Sequence, residues 1–139
     1  MKAAAVKLLQ DGERVWFGCV VGQSSDRKSG VMDTDLYDMA TLVGIDFIMD
    51  KRQRIMTRES AATHAMTLAG VDVIDGKPVR WKVENSWGDE NGQKGYFVMT
   101  DPWFDEYTFE VVVNKKYLSE DIARLYETEP EVLPYYLPF

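Results

Sequence analysis

The stretch Thr63 to Ser86, THAMTLAGVDVIDGKPVRWKVENS, decides the fold. Over Thr63 to Ile74, His64, Met66 and Leu68 alternate with Ala65, Thr67, Ala69, Val71 and Val73, the period of two that a β-strand imposes. Both rows are nonpolar, so this strand is expected to be buried on both faces. Asp75-Gly76 follows, a pair suited to the positive φ angles of a tight hairpin turn, and the chain should return antiparallel. In the returning strand, Val79 to Ser86, one face carries Val79, Trp81, Val83 and Asn85 and the other Arg80, Lys82, Glu84 and Ser86. The core-facing row therefore ends in an amide.

Upstream, Ala5, Leu8 and Leu9 recur at helical spacing within Lys2 to Gln10, and Gly12 stands where such a helix stops. Arg14 to Gly22 is a second strand, with Val15, Phe17, Cys19 and Val21 opposite Trp16, Gly18, Val20 and Gly22; two nonpolar sides predict a central position. Gln23 to Asp38, rich in Ser, Asp and Gly, reads as a long connection. Met39 to Met56 has no decisive period, and the four basic residues of Lys51 to Arg58 read as a solvated face.

Downstream, Gly88 to Gly95 (GDENGQKG) reads as a hairpin loop leading into a strand at Tyr96 to Thr100. Asp101-Pro102 separates that strand from another at Tyr107 to Val113, with Tyr107, Phe109, Val111 and Val113 on one side. Ser119 is a candidate helix N-cap before Glu120 and Asp121, with Ile122, Leu125 and Tyr126 as the nonpolar stripe and Pro130 as the stop. The tail, with Pro130, Pro134 and Pro138 among Tyr135, Tyr136 and Phe139, is too proline-rich for a regular element.

These elements fit one domain. The 139 residues carry 16 Lys and Arg against 23 Asp and Glu, and the resulting charge of −7 argues against a nucleic-acid partner. At this length a chain buries roughly 70% of its unfolded surface, enough for a core without metals or disulfides. The single Cys excludes an intrachain disulfide and any multi-cysteine metal site. No nonpolar run approaches the ~20 residues that cross a bilayer and no signal-peptide pattern opens the chain, so a soluble, cytoplasmic protein is expected.

His64 is the only imidazole, the one side chain that titrates near neutral pH without a shift. Alone on a nonpolar strand, it reads first as a satisfied structural residue rather than a chemical one. Asn85 bears on that choice. Its carboxamide closes the strand expected to pair with the one that starts at His64, and an acceptor oxygen on one ring nitrogen would fix the tautomer and free the other for proton transfer. Trp87, two residues on, either shields such a bond or simply packs. His with Asn makes two thirds of a cysteine-nucleophile triad. Cys19 is the one thiol, but its nonpolar row suits a small structural hydrophobe rather than a reactive group. No carboxylate spacing resembles a metal-binding loop, and GDENGQKG lacks the phosphate-loop pattern, so neither metal nor cofactor is expected.

The strings Thr63-His64-Ala65-Met66, Trp81-Lys82-Val83-Glu84-Asn85-Ser86-Trp87-Gly88 and Gly95-Tyr96-Phe97 resemble the His and Asn segments of papain-like cysteine peptidases. Within them, Val15-Trp16-Phe17-Gly18-Cys19, Asp35-Leu36-Tyr37-Asp38, Met99-Thr100-Asp101-Pro102-Trp103-Phe104 and Glu110-Val111-Val112-Val113 are similar to the bleomycin hydrolase and bacterial aminopeptidase C branch. The resemblance implies an α+β fold: the antiparallel, β-rich, barrel-like half of the papain fold with short flanking helices. It implies that His64 and Asn85 are catalytic, His64 as base and acid and Asn85 as the orienting amide, with Trp87 in a supporting role and Cys19 structural. The nucleophilic Cys and the oxyanion-hole Gln of that family lie in an N-terminal half not contained in residues 1–139, so the chain reads as the C-terminal His- and Asn-bearing half, with Met1 an internal residue or an artificial start.

Two departures stand out. Val20 occupies a place where the branch usually carries Asp. The closing Leu133 to Phe139 lacks the extension whose arm, in relatives, enters the cleft and restricts cleavage to free N-termini, so the reading covers an aminopeptidase or an endopeptidase. Peptide substrates, the missing N-terminal half as partner and a six-subunit assembly at full length are the implied associations. A half-fold should also expose a nonpolar face and associate through it. Two other readings compete: a non-catalytic peptide- or protein-binding module presenting Trp87, Trp103 and Tyr107, and an enzyme that uses Cys19.

Overall fold

The computed structural model describes residues 1–45 and 49–135. Its centre is the hairpin of β4 (His64–Ile74) and β5 (Lys77–Glu84), closed by Asp75 at φ 51° and Gly76 at φ 76°, the paired positive angles of a type I′ turn. β1 (Val15–Cys19) adds to β4 and β7 (Thr108–Val112) to β1, while β6 (Tyr96–Thr100) adds to β5. Two short strands inside the long connection, β2 (Ser25–Asp26) and β3 (Val31–Met32), complete one sheet in the order β2-β3-β6-β5-β4-β1-β7. β3 runs parallel to β6, so the sheet is mixed rather than purely antiparallel.

One face of this sheet holds the core. Val15, Phe17 and Cys19, Met66 and Leu68, Trp81 and Val83, and Phe97 and Met99 meet there, joined by Ala5 and Leu8 from α1 (Lys2–Gln10). β4 is not buried on both faces as its composition suggested: Ala65 and Thr67 are half-buried and Asp72 to Ile74 are exposed. The alternation also breaks within it. Leu68 pairs with Val83 but Gly70 with Lys82 and Val71 with Trp81, so Ala69 is an extra residue that switches Val71 onto the core side. β1 is internal as expected, yet on its second side Trp16 is 43% exposed while Gly18 is buried.

The segment after β6 differs most from the sequence reading. Asp101-Pro102 opens a helix, α4 (Asp101–Tyr107), instead of a plain break, and Tyr107 ends it rather than starting β7. Proline fits the first helical turn because its missing N–H would have no intrahelical partner. Thr100 caps it through its side chain, and Trp103 and Phe104 enter the core, Phe104 stacking on Trp81 at 4.8 Å. Asp101 accepts from Trp81 Nε1 at 3.1 Å and from Lys2 Nζ at 2.6 Å, fastening α1 and α4 to β5.

The unassigned stretch from Met39 contains α2 (Met39–Val43) and α3 (Lys51–Met56). Of its basic residues, Arg52 and Arg58 are exposed, but Arg54 is only 9% exposed and Lys51 is half-buried, which corrects the solvated-face reading. Arg54 donates to Glu106 Oε2 at 2.6 Å and to the carbonyls of Met49 and Glu106, while Lys51 donates to the carbonyls of Asp105 and Thr108. These cations serve the carbonyl end of α4, where positive charge is favoured. Tyr37, Met39, Leu42, Val43, Ile45 and Met56 leave nonpolar surface in solvent along this segment. A short 3₁₀ turn (Lys115–Tyr117) and α5 (Glu120–Leu125) follow; Ser119 is the N-cap of α5 but makes no side-chain cap bond. The closing residues 136–139 of the proline-rich tail lie outside the described residues.

Candidate functional site

His64 begins β4 and Asn85 is the residue after the end of β5, so the hairpin brings the two together at the end opposite its turn. His64 Nε2 lies 2.9 Å from Asn85 Oδ1. The same oxygen accepts the Ser86 backbone N–H at 2.8 Å. An amide N–H can only donate, so the atom it meets is the carboxamide oxygen, and Nε2 must then carry the proton that completes the second bond. Nδ1 is left as the nitrogen able to accept a proton. Asn85 Nδ2 is buried and has no hydrogen-bond partner among the described residues.

Three features hold this pair. The Asn85 N–H donates to Gly95 O at 3.0 Å, closing the Gly88–Gly95 loop at its base. Thr63 N–H donates to Cys19 O at 2.9 Å, anchoring the start of β4. Trp87 lies against the imidazole, ring centroids 4.9 Å apart and planes 30° from parallel, and meets Phe97 edge-on at 5.9 Å. His64, Asn85 and Trp87 are each half-buried, so the imidazole is screened on one side and reachable on another.

Cys19, the register partner of His64 across β1 and β4, is fully buried, and burial pushes its thiol up to about 12. It is a core side chain, which opposes an enzyme built on that thiol. The binding-surface reading also loses a member: Trp103 is 0% exposed and donates through Nε1 to Gln23 O at 3.0 Å. Among the described residues, no group of three or more His, Cys, Asp or Glu could hold a metal ion, and no helix is long and apolar enough to cross a membrane.

Sequence reasoning overlooked Asn91 and Arg27. Asn91, buried inside GDENGQKG, donates through Nδ2 to Trp87 O at 2.7 Å; an amide bracketed by glycines was the available signal. Arg27 reaches Asn91 and Trp87 from the connection between β2 and β3, a long-range approach that leaves no local trace.

Over residues 1–139 the sequence matches the profile described as Peptidase C1-like family. The chain belongs to the Peptidase C1-like family. This Peptidase C1-like chain is 50% identical over 133 residues to the aminopeptidase C of Streptococcus thermophilus, covering 95% of this chain and 30% of that enzyme. Against the aminopeptidase C of Lactococcus lactis subsp. cremoris it is 51% identical over 133 residues, covering 95% and 30% respectively. The crystal structure of PepW from Lactobacillus rhamnosis superposes with a TM-score of 0.92 at 50% identity, covering 99% of this chain and 31% of that one. The chain thus spans about 30% of the length of the curated relatives it matches.

Proposed function

We propose that this chain supplies the proton-transfer part of a cysteine-type aminopeptidase of the bleomycin hydrolase and aminopeptidase C branch, with His64 and Asn85 from here and the nucleophilic Cys from a segment outside these residues. On this reading residues 1–139 are a single domain, the C-terminal His- and Asn-bearing half. The observation that carries it is the 2.9 Å bond between His64 Nε2 and Asn85 Oδ1 beside Trp87, in a chain half identical to aminopeptidase C enzymes. Cys19 is unsuited to be the nucleophile, being buried with its thiol pushed up to about 12.

The chemistry follows from the tautomer. His64 Nδ1 takes the proton of the attacking thiol while Nε2–H stays on Asn85, and the imidazolium that forms is stabilised by the carboxamide oxygen. The thiolate adds to the peptide carbonyl, the C–N bond breaks, and Nδ1–H passes to the departing amine. Water then adds to the thioester with its proton going to Nδ1, the C–S bond breaks, and the thiol regains that proton. Peptides as substrates are inferred from the aminopeptidase relatives; a cytoplasmic location and a six-subunit assembly rest on the branch resemblance.

The test is turnover of an aminoacyl fluorogenic substrate. The 139-residue chain alone should be inactive, and His64→Ala in an enzyme containing both halves should abolish nearly all turnover. Turnover by the chain alone that Cys19→Ser removes, or full activity of the His64→Ala enzyme, would overturn the proposal.

A further inference from the structure

The indole of Trp87 has a neighbour that the proton transfer above leaves unused. Arg27 sets its guanidinium carbon 4.8 Å from the Trp87 ring centroid. Its Nε donates to Asn91 Oδ1 at 2.7 Å, and Asn91 Nδ2 donates to Trp87 O at 2.7 Å. Arg27 therefore holds Trp87 twice, on the ring directly and on the backbone through an amide that is only 8% exposed. The Gly92 N–H, lying 3.2 Å from both Arg27 O and Lys28 O, ties the two loops together at the backbone as well.

We propose that Arg27 is a positioning residue for His64, acting through Trp87; this rests on the peptidase reading for its bearing on catalysis. Phe97 and the core pack one side of the Trp87 indole, and the imidazole it lies against is held by one carboxamide bond. A planar guanidinium over the ring holds it from the loop side and keeps the indole on the imidazole. The fork geometry matters: only Arg offers a flat cation to the ring together with an Nε–H for Asn91. Arg27 sits on an exposed loop and joins no core cluster, so its removal leaves the packing of the sheet untouched.

The chain has one His, so His64 gives a single set of imidazole resonances. Nuclear Overhauser contacts between the His64 and Trp87 rings should be clear in the native chain. They should be lost in Arg27→Ala and weakened in Arg27→Lys, which keeps the charge but not the planar fork; Lys28→Ala should match the native chain. In an enzyme containing both halves, Arg27→Ala should lower kcat about tenfold with KM unchanged and be partly rescued in Arg27→Lys. Native ring contacts in both Arg27 variants, with a native backbone spectrum, would overturn the proposal. That readout needs no turnover, so it stands apart from failure of the peptidase reading, which the His64→Ala enzyme reports.

Discussion

Cys19 and His64 face each other as register partners on β1 and β4, yet the two form no reactive pair. Opposed residues of antiparallel strands keep their Cβ atoms about 5 Å apart, so the backbone sets the two side chains out from neighbouring points. What separates them chemically is burial. Cys19 is 0% exposed and its thiol is pushed up to about 12, so it stays protonated at neutral pH, while half-buried His64 turns to Asn85.

Thiol reactivity should report this directly. A rise from the ordinary 9.0 to about 12 reduces the thiolate fraction at pH 8 about a thousandfold. Iodoacetamide should therefore label native Cys19 at least that much more slowly than the urea-unfolded chain, measured by mass spectrometry over time.

The same shift sets an alkaline limit on stability. Between roughly pH 9 and 12 the unfolded chain loses the thiol proton while the folded chain keeps it, so the unfolded state binds fewer protons and stability falls as pH rises, by about 1.4 kcal/mol per unit. Below pH 9 the thiol contributes no slope. Urea midpoints compared between wild type and Cys19→Ala should diverge in slope above pH 9, the variant falling less steeply.

Asn85 and His64 should separate kinetically in an enzyme containing both halves. Removing the imidazole deletes the proton acceptor and should cost at least about a thousandfold in kcat, whereas Asn85→Ala loosens the ring and should cost about ten- to a hundredfold. Steady-state kinetics on the two variants, with KM nearly constant, provide the check.

Arg54 and Gly92 should be the costly positions outside the core. Arg54→Ala strips the carbonyl end of α4 of a buried donor set and should destabilise by about 3 kcal/mol. Gly92 has φ 58°, and a Cβ there would meet Tyr96 O at 2.5 Å, so Gly92→Ala should cost a similar ~3 kcal/mol and distort the loop below Asn85. Denaturant midpoints measure both.

The nonpolar side chains exposed along α2 and α3, Leu42 at 75% among them, should make the chain associate. Sedimentation at increasing concentration is expected to show a rising mass; a constant monomer would count against it.

Where local chemistry determines structure, the sequence was readable. The β4–β5 hairpin follows from alternation and Asp75-Gly76, and the meeting of His64 with Asn85 follows from the row that Asn85 closes. Three other features depend on distant partners. The bulge at Ala69 arises from pairing with β5, β3 is two residues long and exists because β6 accepts it, and α4 is a seven-residue helix whose Trp103 and Phe104 find a core elsewhere. Lys51 and Arg54 look solvated until α4 brings carbonyls to them. The support of Trp87 by Arg27 joins loops some sixty residues apart in the chain, and periodicity is blind to such pairings.

β4 has neighbours on both sides only at Thr67 and Leu68: His64 to Met66 pair with β1 alone, and Gly70 to Ile74 pair with β5 alone. The strand is thus gripped from both sides at its waist and from one side toward each end. Amide exchange along β4 should therefore be slowest at Thr67 and Leu68 and fastest toward Asp75, so the waist of the strand, three residues from the imidazole, is the part that opens last.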